Sequence, residues 1–332
     1  LLFFLTEFFQ SKQQGGIMII RLLALAALTI FTGVASGQSY PTKPIRLMTA
    51  GAGGGNDLIS RIIASGISPS LGQQIVVENR GGYIMGDAFA KSPKDGYTLM
   101  LMGASVWLAP LLYDNVPFDP VRDFAAITIT DKSPNIIAVH PSVPVSSLKE
   151  LIALAKAKPG TLNWSSGNNG SPNHLAGELF KSMTGVDIVR IPYKSGAQET
   201  NDLLAGRVHM AFSPAGSLMI HVKAGKLKAL AIASNQPSTL TPGVPTALEA
   251  GLPDFEAGST KLVFAPTGTP VPIINRINQE IGRFLRLPET REKLLAHSVE
   301  PVGTTPEEAS AFVKSEMTRM GKIIKDLGIR AE

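Results

Sequence analysis

The groups best placed to do chemistry in this chain are backbone amides, hydroxyls and side-chain amides gathered at two loops. The first loop is Ala50-Gly51-Ala52-Gly53-Gly54-Gly55-Asn56-Asp57. Its glycines permit a positive φ and let a ligand approach the main chain without meeting a Cβ. Asn56 or Asp57 is expected to cap the helical pattern that follows. The second loop is Ser166-Gly167-Asn168-Asn169-Gly170, after which Ser171 reads as an N-cap and Pro172 as the first helical residue. Asn173 and His174 then fall in the first turn. Both loops would offer bare N–H groups at the positive end of a helix, an arrangement that holds a carboxylate or a phosphate. Ser105, Ser165 and Ser195 are further hydroxyl candidates. The plain alternative is that both loops are tight βα connections that bind nothing.

Catalytic machinery is hard to assemble from the remaining residues. The histidines are His140, His174, His209, His221 and His297, and none forms an HxxxH or HExxH pair. The chain has no GxSxG elbow, no GxxxxGK[ST] phosphate cradle and no DxDxDG calcium loop. A protonated His174 would oppose the helix dipole, so a neutral imidazole is expected there and no metal site is assigned. Dinucleotide binding is the strongest enzymatic alternative. Gly51-x-Gly53 lies between strand and helix, and Glu78 has the spacing of a ribose-binding acid. Asn56, however, stands where the third glycine belongs. No cofactor is therefore expected.

The elements that must position these loops alternate in type. Pro44–Met48, Gln74–Asn79 and Tyr97–Met102 read as strands, with helical patterns after the first and before the third. This is the pattern of a mainly parallel α/β sheet. Ala125–Thr130 and Asn135–His140 read as two further strands. Ser147 and Glu150 form a capping-box pattern ahead of a helix ending at Lys158-Pro159-Gly160. The helix after Ser171 carries Leu175, Leu179 and Met183 on one face. Strands follow at Ile188–Ile191, Val208–Phe212, Leu227–Ser234 and Lys261–Ala265. Gln236–Pro253 reads as an ordered surface loop, and the end of the chain is helical, with a second capping box at Thr305–Glu308.

Bulk properties narrow the class. The 332 residues are 44% hydrophobic, enough for about two domains with a sizeable core. Net charge is +5 without a Lys/Arg-rich run, so nucleic acid is not an expected partner. Cysteine is absent, which excludes disulfides, thiolate metal sites and a lipidated N-terminal cysteine. Met18–Gly37 has a basic start, an apolar stretch too short to span a bilayer comfortably, and small residues before a polar continuation. It reads as a cleaved export signal, with residues 1–17 as upstream sequence and an uncleaved anchor as the alternative.

Several stretches together resemble the Bug family, the periplasmic solute-binding components of tripartite tricarboxylate transporters. They include Tyr40–Arg46, Gly53–Asp57 with Arg61, Leu71-Gly72-Gln73 with Val77–Arg80, and Asp95–Leu99. Val139–Ser142, Gly167–Ser171 with His174-Leu175-Ala176, Pro192-Tyr193-Lys194, Ala224–Leu227 and Glu249–Pro253 complete the set. The resemblance implies a two-lobed α/β periplasmic-binding-protein fold of type II, the Venus flytrap, with two crossover strands. Lobe 1 would be 38–134 and 263–332, and lobe 2 would be 135–262. It implies non-catalytic capture of a small carboxylate by a monomer, and delivery to integral-membrane subunits. The loop at Ala50–Asp57 would hold one carboxylate and the helix start at Ser166–His174 the distal end. Ser213 stands where relatives often carry Asp, and Tyr83 and Trp107 are candidates to fill the cleft. A periplasmic sensor for a membrane receptor and an exported enzyme are the alternative readings.

Overall fold

The computed structural model describes residues 40–53, 55–81, 85–167, 170–193 and 196–330. The expected export signal and the residues before it lie outside the described residues. So do Gly54, Tyr83, Asn168 and Ser195.

The first half is a parallel β-α unit and its return. Strand β1 (Ile45–Thr49) feeds through the glycine turn into helix α1 (Gly55–Leu71), then β2 (Ile75–Asn79), α2 (Met85–Ala90) and β3 (Thr98–Met102). β1 pairs in parallel with both β2 and β3. All five residues of β3 are buried, which fits its unbroken apolar run Leu99–Met102. Three short helices follow that the sequence did not announce: α3 (Ala104–Trp107), α4 (Ala109–Leu112) and α5 (Pro120–Asp123).

The two strands expected at Ala125–Thr130 and Asn135–His140 are one, β4 (Phe124–Val139). The polar interval does not break it, because Asp131 is fully buried against Lys261, with Nζ 2.5 Å from Oδ2. The Thr130 hydroxyl also donates to Asp131 at 2.8 Å. Burial pushes the Asp131 carboxyl upward, and Lys261 opposes that shift.

The second half repeats the alternation. Its elements are α6 (Leu148–Ala157), β5 (Asn163–Ser166), α7 (Pro172–Thr184), β6 (Val189–Pro192), α8 (Gly196–Leu204), β7 (Met210–Pro214), α9 (Ala215–Lys223) and β8 (Lys228–Ile232). Strand β9 (Gly258–Pro266) returns the chain to the first half. It leads to α10 (Val271–Leu285), α11 (Pro288–Ala296), β10 (Glu300–Pro301) and α12 (Pro306–Asp326). The Thr305 capping box forms as expected. At α6 the box is altered: Ser147 caps Glu150, but Glu150 reaches back to the N–H and hydroxyl of Ser146.

The strands run in the order β2-β1-β3-β9-β4-β7-β5-β6, with β8 and β10 also pairing with β4. β4 is the shared member. Its Phe124–Pro134 stretch pairs with β9, and from Asn135 onward it pairs with β7 and β8. At the changeover the two crossing segments almost touch. A Cβ on Gly258 would lie 2.5 Å from the Ser133 carbonyl oxygen, so only glycine fits. Aromatic side chains fill the core on both sides of the changeover. Trp107 packs against Phe264 and Phe312 on one side, and Trp164 and Phe180 pack against Phe212 on the other. Among the described residues no helix is long and apolar enough to cross a membrane.

Candidate functional site

The first loop is fastened by an anion. Asp57, expected as a cap or ligand contact, points back into the turn instead. Its Oδ2 accepts the Gly53 N–H at 2.9 Å, and its Oδ1 accepts from Asn79 Nδ2 at 2.8 Å and faces Arg61 Nε at 3.0 Å. Asn79 Nδ2 also donates to the Ala50 carbonyl at 2.7 Å, tying the turn to β2. The Gly53 N–H, then Arg61 and Asn79, hold the Asp57 carboxyl down at about 2. With these three donors, Asp57 fastens the loop from within. Ala50 packs partly buried against the core, while Gly51 and Gly53 are exposed. Asn56 is half-buried beside Met102, and its side chain reaches the Met102 sulfur at 3.8 Å.

The second loop is fastened by donors and a neutral ring. Arg190 Nε donates to the Ser166 hydroxyl at 2.6 Å, and Arg190 Nη2 donates to the Gly167 carbonyl at 2.8 Å. Ser171 caps α7 by accepting the His174 N–H at 3.3 Å, with Pro172 in the first turn as expected. His174 Nδ1 accepts the Gly170 N–H at 3.0 Å, which places the ring proton on Nε2, 3.8 Å from Glu178. The ring stacks on Trp164 with an interplanar angle of 16°. Burial, then the charges of Arg190 and Lys181, hold His174 down at about 4, so it is neutral at physiological pH. Helix α7 approaches β5 closely because Gly177 lies over Trp164, where a Cβ would meet the indole at 2.2 Å.

Behind α7 lies a buried carboxylate that the sequence reading did not single out. Glu199 accepts from Ser213 Oγ at 2.5 Å, from Ser165 Oγ at 3.2 Å and from Asn173 Nδ2 at 3.4 Å. Ser213 and Asn173 are therefore engaged with Glu199 and, at 3.2 Å, with each other.

The two loops meet at a cavity of about 340 Å³. Asn56, Gly103 and Ser105 line it from the first half, and Gly170, Ser171 and Pro172 from the second. Its other walls are Leu108 between α3 and α4, Leu112 of α4 and Tyr113 beyond it, Leu175 and Leu179 of α7, Glu256–Ser259 at the start of β9, and Glu316, Arg319 and Met320 of α12. Of the sequence candidates, Asn56, Ser105 and Ser171 come together here. Asp57, Ser166 and His174 brace the loops from behind. Trp107 does not reach the cavity: it is 1% exposed, and its ring is spent on Phe264 and Phe312. The face Leu175–Leu179–Met183 also divides. The two leucines are buried along the cavity, and Met183 is exposed on the surface. The i, i+4, i+8 stripe Ser171–Leu175–Leu179, polar at the helix start and apolar below it, was the available signal for a cavity-lining face.

Two crossing segments, a shared sheet and a helix-start cavity between the halves define a two-lobed binding protein. Residues 59–329 match the model of the tripartite tricarboxylate transporter family receptor, TctC, and the chain belongs to that family. It is 36% identical to Protein BugT of Bordetella pertussis over 320 residues, covering 93% of this chain and 98% of that one. The solved structure of R. palustris Rpa4515 with adipate superposes with a TM-score of 0.71 at 34% identity, covering 88% of this chain and 99% of that one. MatC (Rpa3494) from Rhodopseudomonas palustris, solved with bound malate, gives a TM-score of 0.67 at 25% identity, covering 86% and 100%.

Proposed function

We propose that this protein is a periplasmic receptor that captures a small organic carboxylate without altering it and hands it to integral-membrane transporter subunits. The observation that carries the reading is the convergence of two helix starts from different halves on one cavity, Asn56 on one wall and Ser171 with Pro172 on the other. Such ends favour an anion through their free N–H groups and the helix dipole. Adipate in one similar structure and malate in another support a carboxylate as that anion. Ser105 and Asn56 supply side-chain contacts, and the loop amides on either side supply the rest. The lobes of this reading are 38–134 with 263–332 against 135–262, the first division falling at the β4 changeover and the second within β9. The working form is a monomer in the periplasm, released from its export signal.

A thermal-shift screen of mono-, di- and tricarboxylates and aromatic acids tests this. A ligand at a hundredfold excess over its Kd is expected to stabilise the fold by about 2.7 kcal/mol. The reading falls if no carboxylate raises the melting temperature, or if a bound carboxylate is converted to product.

A further inference from the structure

The halves are also tied together on the side of the crossing ribbon, β4 with β9, that faces away from the cavity. β4 carries a neighbour on each edge both before and after the changeover. Opposite Asp131 and Lys132 these are Lys261 and Thr260 of β9 on one edge, and Pro301 and Glu300 of β10 on the other. Beyond the changeover they are β7 at Asn135 and β8 at Ile136. The β9 edge continues to β3, after which Gly103 lines the cavity, and the β7 edge continues to β5, which leads into the second loop. The β10 edge holds Glu300, and β8 runs on towards Ser238 and Thr239. Gly103 and Glu300 thus stand three strand spacings apart, about 14 Å, on opposite sides of the ribbon.

Glu300 clasps the second half from the first. Its Oε1 accepts the Thr239 N–H at 2.6 Å, the Thr239 hydroxyl at 2.7 Å and the Ser238 hydroxyl at 3.0 Å. Two residues earlier, Ser298 closes on Gly216 in the first turn of α9, where a Cβ would meet the Ser298 Cβ at 2.1 Å. A second cavity of about 220 Å³ is lined by Ser133 of the ribbon together with Lys132, Ser234, Ser238 and Glu300, so the clasp spans a gap rather than sealing a packed interface. The groups at the first cavity bond differently. Asn56 reaches Met102, and Gly170 and Ser171 reach His174, each within its own half.

Two halves that turn about the ribbon move its two edges in opposite senses. A rotation that brings Asn56 and Ser171 together therefore draws Glu300 away from Ser238 and Thr239. We propose that Glu300 is a positioning residue that sets ligand affinity from outside the cavity: its clasp opposes closure and parts when the halves shut on a carboxylate. The free energy of parting the clasp is subtracted from that of binding, as for any ligand that selects a disfavoured state. The proposal rests on the carboxylate-capture reading above and adds to it what tunes that capture.

Calorimetric titration of the receptor with adipate and, in parallel, malate tests it. Glu300→Ala removes the three acceptor bonds and leaves the backbone pairing of β10 in place. It is expected to bind the acid about five- to tenfold more tightly than the wild type, whereas loss of a merely structural contact would leave affinity unchanged or lower it. Glu300→Gln keeps an acceptor oxygen and is expected to stay within about twofold of the wild type. Ser238→Cys with Glu300→Cys places the only two thiols in a cysteine-free chain. Bridging them with a short bis-maleimide holds the clasp shut and is expected to weaken binding at least about tenfold against the same protein unbridged. Glu300→Ala binding no more tightly than the wild type would overturn the proposal, as would a bridge that leaves affinity where it was. Failure of adipate, malate and every other carboxylate to bind wild type and variants alike is a different result: it removes the capture reading itself.

Discussion

The two loops that face the cavity do the same job with opposite fastenings. Residues 50–57 are held by a carboxylate that receives donors from Gly53, Asn79 and Arg61. Residues 166–174 are held by a guanidinium that gives to Ser166 and Gly167, and by an imidazole that accepts from Gly170. In each case the brace spends its polarity on the loop, taking up the Gly53 N–H in the first and the Gly170 N–H in the second. A bracing charge of either sign serves, an anion in the first loop and a cation in the second.

The difference can be broken most forcefully at Asp57. Asp57→Ala strands the Gly53 N–H and the Asn79 amide, and carboxylate affinity is expected to fall on the order of a hundredfold by calorimetry. Asp57→Asn should lose less, because one acceptor survives. Unchanged affinity in the alanine variant would mean that the turn holds its shape without the brace.

Arg190→Gln is the matching cut at the second loop. It removes two charge-assisted bonds and is expected to cost about 2 kcal/mol in urea unfolding. Amide exchange should quicken at 166–174 and stay unchanged at 50–57. Faster exchange at both would show that the loops are not independently braced.

Acid separates the fastenings by pH. The His174 pKa is lowered in the folded protein to about 4, so its contribution is complete above the unfolded value near 6.5 and drains away as pH falls from there towards 4. The Asp57 pKa is lowered to about 2, so its contribution holds until pH drops below the unfolded value near 4 and is lost on the way to 2. Stability should therefore decline in two stages, the first belonging to the second loop. His174→Gln is expected to flatten the slope between pH 6.5 and 4. An unaltered slope would assign that stage to other groups.

The smallest effect is expected at the helix cap. Ser171→Ala should cost about 1 kcal/mol of stability. Because Ser171 also lines the cavity, it should weaken ligand binding by more than the change in unfolding suggests. Equal losses in both would reduce Ser171 to a cap alone.

The parts legible in the sequence were those set by local rules. Strand-turn-helix order, the Ser171-Pro172 start and the Thr305 box depend on neighbours a few residues apart, and all three appear as read. What was not legible depended on distant partners. Nothing around Asp131 reveals that Lys261, far along the chain, will bury it and let two strands become one. Trp107 has the same local sequence whether it fills a cleft or a core, and Phe264 and Phe312 decide the matter. Arg190 sits on a strand that reads as ordinary, yet it fixes the second loop, and Glu199 on α8 ties Ser213 and Asn173 together at the base of α7. The short helices on either side of Leu108 lack the length to show a periodicity, so this wall of the cavity had no one-dimensional signature.

The narrow crossing at Gly258 has a mechanical consequence. Two antiparallel segments, zipped by hydrogen bonds and separated by less than a side chain's thickness at Ser133, resist sliding but yield to torsion. Any movement between the halves would therefore be expected as a twist of this ribbon rather than a slide along it. Gly258 also lines the cavity, so a twist of the ribbon at that point would be felt directly by the chamber's wall.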